Sequence, residues 1–142
     1  MIADTLRKVI SDSYLLYFKA HSFHWNIEGP DFAQYHEFLK EFYNEIFESI
    51  DTYAELIRTT DQYAPTSLAR LISMSSLEEA STIPDAKTML SIIKRDNDLF
   101  LAALVQAYDE AEKASEFGIS NYIQDRIQAH EKHAWMLRAI TK

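Results

Sequence analysis

Cysteine is absent from all 142 residues, which excludes disulfides, thiolate nucleophiles and thiolate metal sites together. Glycine (2) and proline (3) are nearly as scarce. With so few residues that turn or break the backbone, long elements with few turns are expected. Cationic residues are outnumbered: 14 Lys+Arg stand against 22 Asp+Glu, a formal net charge of -8. That balance disfavours generic binding to phosphate backbones, which needs cations to release counterions. A lysine-rich arm would offset it, but the opening stretch MIADTLRKVISD is already helix-like. No apolar run approaches the roughly 20 residues of a membrane span, and no leader pattern opens the chain, so a soluble cytoplasmic protein is expected.

What is present is core-forming material. Hydrophobic residues make up 47%, with 8 Tyr, 8 Phe and 2 Trp, enough for one packed domain over residues 1–142. Apolar spacing of three and four marks four long helices. The first runs from about Asp4 to Asn26 and is ended by Gly29-Pro30; Asp31 then caps a second from about Phe32 to Asp61. The stripe of the second is Phe32, Tyr35, Leu39, Phe42, Ile46, Ile50, Tyr53 and Ile57. Residues 62–84 break the pattern. Pro65, the apolar run Leu68, Leu71 and Ile72, and Ser76–Glu79 with the spacing of a capping box indicate a crossover holding a short helix. Asp85 caps a third long helix (Leu90, Ile93, Asn97, Phe100, Leu101, Leu104 and Tyr108 inward), which Gly118 is expected to stop after Glu116. A fourth spans about Ser120 to Ile140, with Ile123, Ile127, His130, Ala134 and Leu137 inward.

Two helices joined by a tight turn, a long crossover and two more helices describe an all-α, ferritin-like four-helix bundle. Such bundles commonly hold metal in the core through Glu-x-x-His pairs. The residues three positions before the five histidines are Phe18, His21, Ala33, Ile127 and His130. None is glutamate, so that arrangement is missing.

Another set of ligand types exists: His24 and His36, then Asp51 and Glu55. Asp51 and Glu55 are one helical turn apart and project from one face. His36 precedes Asp51 by 15 positions on the same helix, about 22 Å at 1.5 Å per residue, too far for one ion. Pairing two copies of the second helix antiparallel about an axis near Tyr43 and Asn44 removes the difficulty. His36 of one copy then lies beside Asp51 and Glu55 of the other, twice by symmetry. His24 joins by folding back across the Gly29-Pro30 turn. Two imidazoles and two carboxylates suit iron or zinc. The bland alternatives are solvated carboxylates at i and i+4, a helix-end histidine at His24, and His130 as a hydrogen-bonded core residue. His21 reads as a surface residue or a neighbour of the site. His130 and His133 share chelating spacing but no carboxylate is evident to join them.

The stretch His21-Ser-Phe-His-Trp-Asn-Ile-Glu-Gly-Pro-Asp-Phe-Ala-Gln-Tyr-His36-Glu resembles the signature of Dps-type mini-ferritins. Asp51-Thr-Tyr-Ala-Glu55-Leu-Ile-Arg58 is similar to the family's acidic segment, and Lys132-His133-Ala-Trp135-Met136 to its Lys-His-x-Trp-Met element. The resemblance covers nearly the whole chain. It implies a dodecameric shell that oxidises Fe(II), typically with hydrogen peroxide, at two-fold interfaces and stores ferric mineral. It also implies His24 and His36 from one subunit, Asp51 and Glu55 from its neighbour, and Trp25 beside the centre, where it takes up stray oxidising equivalents.

Three departures accompany it. Lys40 stands where the family usually supplies another carboxylate; Glu41 is rotated about 100° away. Thr59–Pro65 replaces the usual Gly-Gly. Of the acidic pore lining, Glu116 and Asp125 match while Asn121 stands where Asp is common. The reading is therefore a cytoplasmic ferroxidase and iron store active against oxidative stress. Its alternatives are a structural shell whose metal site Lys40 impairs, and a DNA-protecting protein without iron chemistry, which the charge disfavours.

Overall fold

A computed structural model describes residues 1–142. Its helices follow the apolar periodicity: α1 (Ile2–Asn26), α2 (Phe32–Thr59), α3 (Leu68–Met74), α4 (Ala86–Lys113) and α5 (Phe117–Ile140), with no strand. At 28 residues, α2 and α4 are each about 42 Å long. α1 and α2 form one hairpin, α4 and α5 the other, and α1 packs on α4. The crossover between the hairpins carries α3 against α1. One hydrophobic cluster of 27 buried residues runs through the bundle, centred on Leu16, Phe42, Ile46, Ile93, Phe100 and Leu137. No helix is long and apolar enough to cross a membrane.

The α1–α2 turn is set by Gly29, whose φ of +123° is a region that side chains disfavour. Asp31 takes the N-cap position of α2 without a side-chain cap, whereas Asp85 Oδ1 accepts from Thr88 N at 2.8 Å at the start of α4. Three sequence expectations need correction. Gly118 does not stop α4; it lies inside α5. The break comes earlier, at Ser115 (φ 57°), where Glu116 N bonds Ala111 O and Ser115 N bonds Glu112 O, a Schellman closure with serine in the glycine position. Similarly α2 ends at Thr59, not Asp61, because Asp61 (φ 62°) turns left-handed. Finally, Ser76–Glu79 caps no helix. The short helix lies on the apolar run, capped by Ser67 Oγ. Ser75 Oγ and Ser76 N instead donate to the buried Asp12 carboxylate at 2.6 and 2.8 Å, which ties the crossover to α1.

Polar pairs also hold the bundle. Lys19 of α1 and Asp96 of α4 meet in the interior, both nearly inaccessible. The expected core stripe of α2 holds from Leu39 to Ile57, but Phe32 is exposed. Its ring lies over His36 instead, 4.8 Å between centroids.

Candidate metal centre

His24 lies in the last turn of α1 and His36 near the start of α2, so the Gly29 turn folds one back onto the other. Their rings stack at 3.7 Å and 12°. The hydrogen bonds are reciprocal: His24 Nδ1 to His36 O and His36 Nδ1 to His24 O, each 2.7 Å. A carbonyl only accepts, so both Nδ1 atoms carry a proton, and Nε2 is the ring nitrogen left to face a metal. Each backbone thus fixes the other residue's tautomer and orientation, a role that outer groups commonly play for metal-bound histidines. His24 O is available because a helix's last carbonyls lack partners within the helix.

Asp51 and Glu55 are not brought to this pair. Both are exposed on the uninterrupted α2 and neither enters an ion pair within the chain. Lys40, one turn beyond His36, is likewise exposed and unpaired. Trp25 is 57% exposed, packing on His21 (4.2 Å) and edge-on to Phe18. Glu116 is the N-cap residue of α5, and Asp125 is exposed about 14 Å farther along that helix. They do not converge within one chain.

His21 is half-buried. It stacks on Tyr43 (4.0 Å, 15°), and its Nδ1 lies 2.9 Å from the Tyr17 hydroxyl. Burial lowers its pKa, helped by the charge of His24. Burial, with Tyr43 and Tyr14 adding to it, raises that of Tyr17.

One polar cluster escaped the sequence reading. Glu45 of α2 reaches His133 Nε2 at 2.8 Å and forms a two-pronged pair with Arg126 of α5. Arg126 Nη2 also lies 3.1 Å from His130 Nε2, while His130 Nδ1 meets Asn97 Oδ1 at 2.7 Å. A carboxylate does therefore stand beside His130 and His133, contrary to expectation. These three groups lie within 4.8 Å of one another, the one set of three ligand types so close. The buried Arg126 guanidinium already engages both Glu45 oxygens and puts a fixed positive charge where a cation would sit. The cluster works as an ion-pair network in which only the buried Arg126 Nε lacks a partner. Burial alone would raise the Glu45 pKa, but hydrogen bonds from Arg126 and His133 outweigh it and hold it well below the carboxylate range. Burial, then the charges of His133 and Arg126, keep the fully enclosed His130 neutral. A charged residue between Ile123 and His130 on the inward face of α5 was the available signal.

Residues 3–142 match the family described as "Ferritin-like domain". The chain is 34% identical over 140 residues to a "DNA protection during starvation protein" from Brevibacillus brevis, covering 98% of this chain and 93% of that one. It is 32% identical to antigen TpF1 of Treponema pallidum, covering 99% and 80%. The crystal structure of a Dps protein from Bacillus brevis superposes with a TM-score of 0.95 at 31% identity, covering 99% and 95%.

Proposed function

The chain belongs to the Dps-type mini-ferritins of the ferritin-like family, and from that premise we propose that it stores iron by oxidising Fe(II), with hydrogen peroxide as oxidant, at sites shared between two subunits of a dodecameric shell. The observation that carries this reading is the His24–His36 pair: two stacked imidazoles with both Nδ1 atoms tied to carbonyls and both Nε2 atoms left to face a metal. Exposed, unpaired carboxylates at Asp51 and Glu55 complete the set when a second copy of α2 runs antiparallel. Iron is the substrate. The imidazoles orient it, the partner's carboxylates offset its charge, and a mixed N/O set tolerates both Fe(II) and Fe(III). Peroxide takes two electrons and each Fe(II) supplies one, so two Fe(II) are consumed per peroxide reduced to water. Zinc fits the same donors but carries no electron and would act as a competitor. On this reading Glu116 and Asp125 guide cations toward the interior at three-fold axes between subunits, an arrangement that needs more than one chain. The charge of -8 weighs against DNA binding.

The test is absorbance of ferric product after mixing iron-free protein with Fe(II) and peroxide: fast, saturable oxidation above the protein-free rate is expected. A rate no higher than the protein-free control would overturn the reading.

Lys40 favours a second reading, a shell with a weakened centre. It is one turn from His36 on the same face and has no partner in its own chain. In the paired arrangement its ammonium faces the neighbour's carboxylates and competes with the metal. Lys40→Asp is therefore expected to bind more Fe(II) per subunit in anaerobic titration, and more tightly. Unchanged stoichiometry and affinity would show that Lys40 stands clear of the site.

A further inference from the structure

Apart from its guanidinium, the polar cluster between α2 and α5 is a metal-ligand set. Glu45, His130 and His133 each place a donor atom within 4.8 Å of the others. Donors around a four-coordinate ion with bonds near 2 Å lie roughly 3.4 Å apart, so side-chain rotation is enough to close the difference. Two imidazoles, one carboxylate and a water are a common set for zinc. His130 is already prepared as a ligand. Arginine only donates, so Arg126 Nη2, 3.1 Å from His130 Nε2, is held by the lone pair of that nitrogen. The ring proton therefore sits on Nδ1 and is donated to Asn97 Oδ1 at 2.7 Å, while Asn97 Nδ2 donates back to His130 O at 3.1 Å. Outer partners of this kind commonly fix the orientation of metal-bound histidines. An ion would also have a way in. Glu45 is 38% exposed, and a groove of about 330 Å³ bordered by Phe38, Glu41, Phe42, Lys132 and Met136 opens onto Glu45 and His133.

What stands in the position of the ion is Arg126. Its guanidinium engages both Glu45 oxygens and His130 Nε2, the atoms a metal would use, and leaves its own Nε buried without a partner. We propose that Arg126 is a selectivity residue: it fills a three-ligand metal site in the bundle core and keeps divalent cations out, and its removal opens that site to an ion held by Glu45, His130 and His133. An ion can enter only if the guanidinium leaves. Arginine cannot give way by losing a proton, and its planar fork is fixed on the carboxylate at two points. A lysine in its place would hold Glu45 at a single point and could deprotonate. Entry also requires the His133 Nε2 proton, now donated to Glu45 Oε1 at 2.8 Å, to be released or moved to Nδ1. If His24 and His36 hold Fe(II), Arg126 confines that iron to the subunit interface. The exclusion itself does not rest on that reading.

Anaerobic titration with Co(II), whose four-coordinate complexes have intense visible bands, tests the proposal. It is run on intact shells carrying His24→Ala/His36→Ala, so that the interface pair takes no ion, and the signal counted is the part that Glu45→Gln removes. With Arg126 present, no such signal is expected. Adding Arg126→Met, which keeps most of the volume but not the charge, should produce it at one ion per subunit, and Zn(II) should erase it. His133→Gln added to Arg126→Met should then weaken cobalt binding at least ~10-fold, the least that loss of even an outer partner costs. Should Arg126→Met not assemble, Arg126→Gln, which retains an amide donor for Glu45, is titrated instead with the same expected bands. The counted signal at full strength with Arg126 present would overturn the exclusion. An assembled Arg126 variant, of wild-type helicity, that binds no cobalt would overturn the site. Both results stand whether or not the shell oxidises iron, so failure of the functional reading is told apart from failure of this one.

Discussion

His36→Ala is expected to slow peroxide-dependent Fe(II) oxidation by at least ~100-fold, since loss of an outer group that merely orients a metal ligand already costs about 10- to 100-fold. The prediction isolates the ligand because the reciprocal bonds use backbone oxygens. His36 O remains in the variant, so His24 keeps its bond, its tautomer and its free Nε2. A companion, His36→Phe, retains a ring between Phe32 and His24 but offers no nitrogen. If the pair were only a stacked connection between α1 and α2, His36→Phe would oxidise iron at the wild-type rate. If it is a metal site, both variants lose activity together and stability changes little. Asp51→Ala should lose activity to a similar degree without touching any contact inside its own chain.

Asp96→Ala is expected to destabilise the fold by about 3–5 kcal/mol, the usual effect of stranding one partner of a buried ion pair. Lys19 is 4% exposed and its ammonium lies 2.5 Å from Asp96 Oδ2. With the carboxylate gone, that charge has no counterion in the interior and no water to replace it. Arg95, the other partner of Asp96, is solvent-exposed and loses little. The sign reverses when both charges go together. Lys19→Met with Asp96→Leu removes the desolvation cost as well as the attraction, and should recover most of the loss. Urea unfolding at one fixed protein concentration measures both, a condition needed because assembly raises apparent stability. An Asp96→Ala variant within about 1 kcal/mol of wild type would show that the pair is not what joins α1 to α4.

The long helices, the Gly29 turn and the Asp85 cap were legible because each has a local signal: apolar spacing, a positive φ that glycine accepts, a side-chain oxygen before a helix. The ends of α2 and α4 were not, because Asp61 and Ser115 take the left-handed conformation that glycine usually signals. Gly118, with no such demand placed on it, sits within a helix. Periodicity also counts apolar residues and is blind to charges that share the core. Lys19 and Asp96 are 77 positions apart, and Glu45 meets Arg126 and His133 across 81 and 88. No local pattern announces such pairs; they exist once the helices are side by side. The candidate centre divides the same way. His24 and His36 meet through one tight turn and could be anticipated together. The reciprocal carbonyl bonds that fix their tautomers depend on how α1 and α2 face one another. Asp51 and Glu55 have no destination in their own chain, and spacing along a helix could say only that a second copy must supply the other half.

That second copy is the central claim, and mixed shells test it most directly. A His24→Ala/His36→Ala variant and an Asp51→Ala/Glu55→Ala variant, each inactive by itself, are co-expressed under separate tags and the doubly tagged shells are isolated. If histidines from one subunit and carboxylates from its neighbour make the site, random pairing in equal amounts leaves about one quarter of the sites with both intact halves. Fe(II) oxidation should return to about that fraction of the wild-type rate. Mixed shells as inactive as their parents would contradict the shared site.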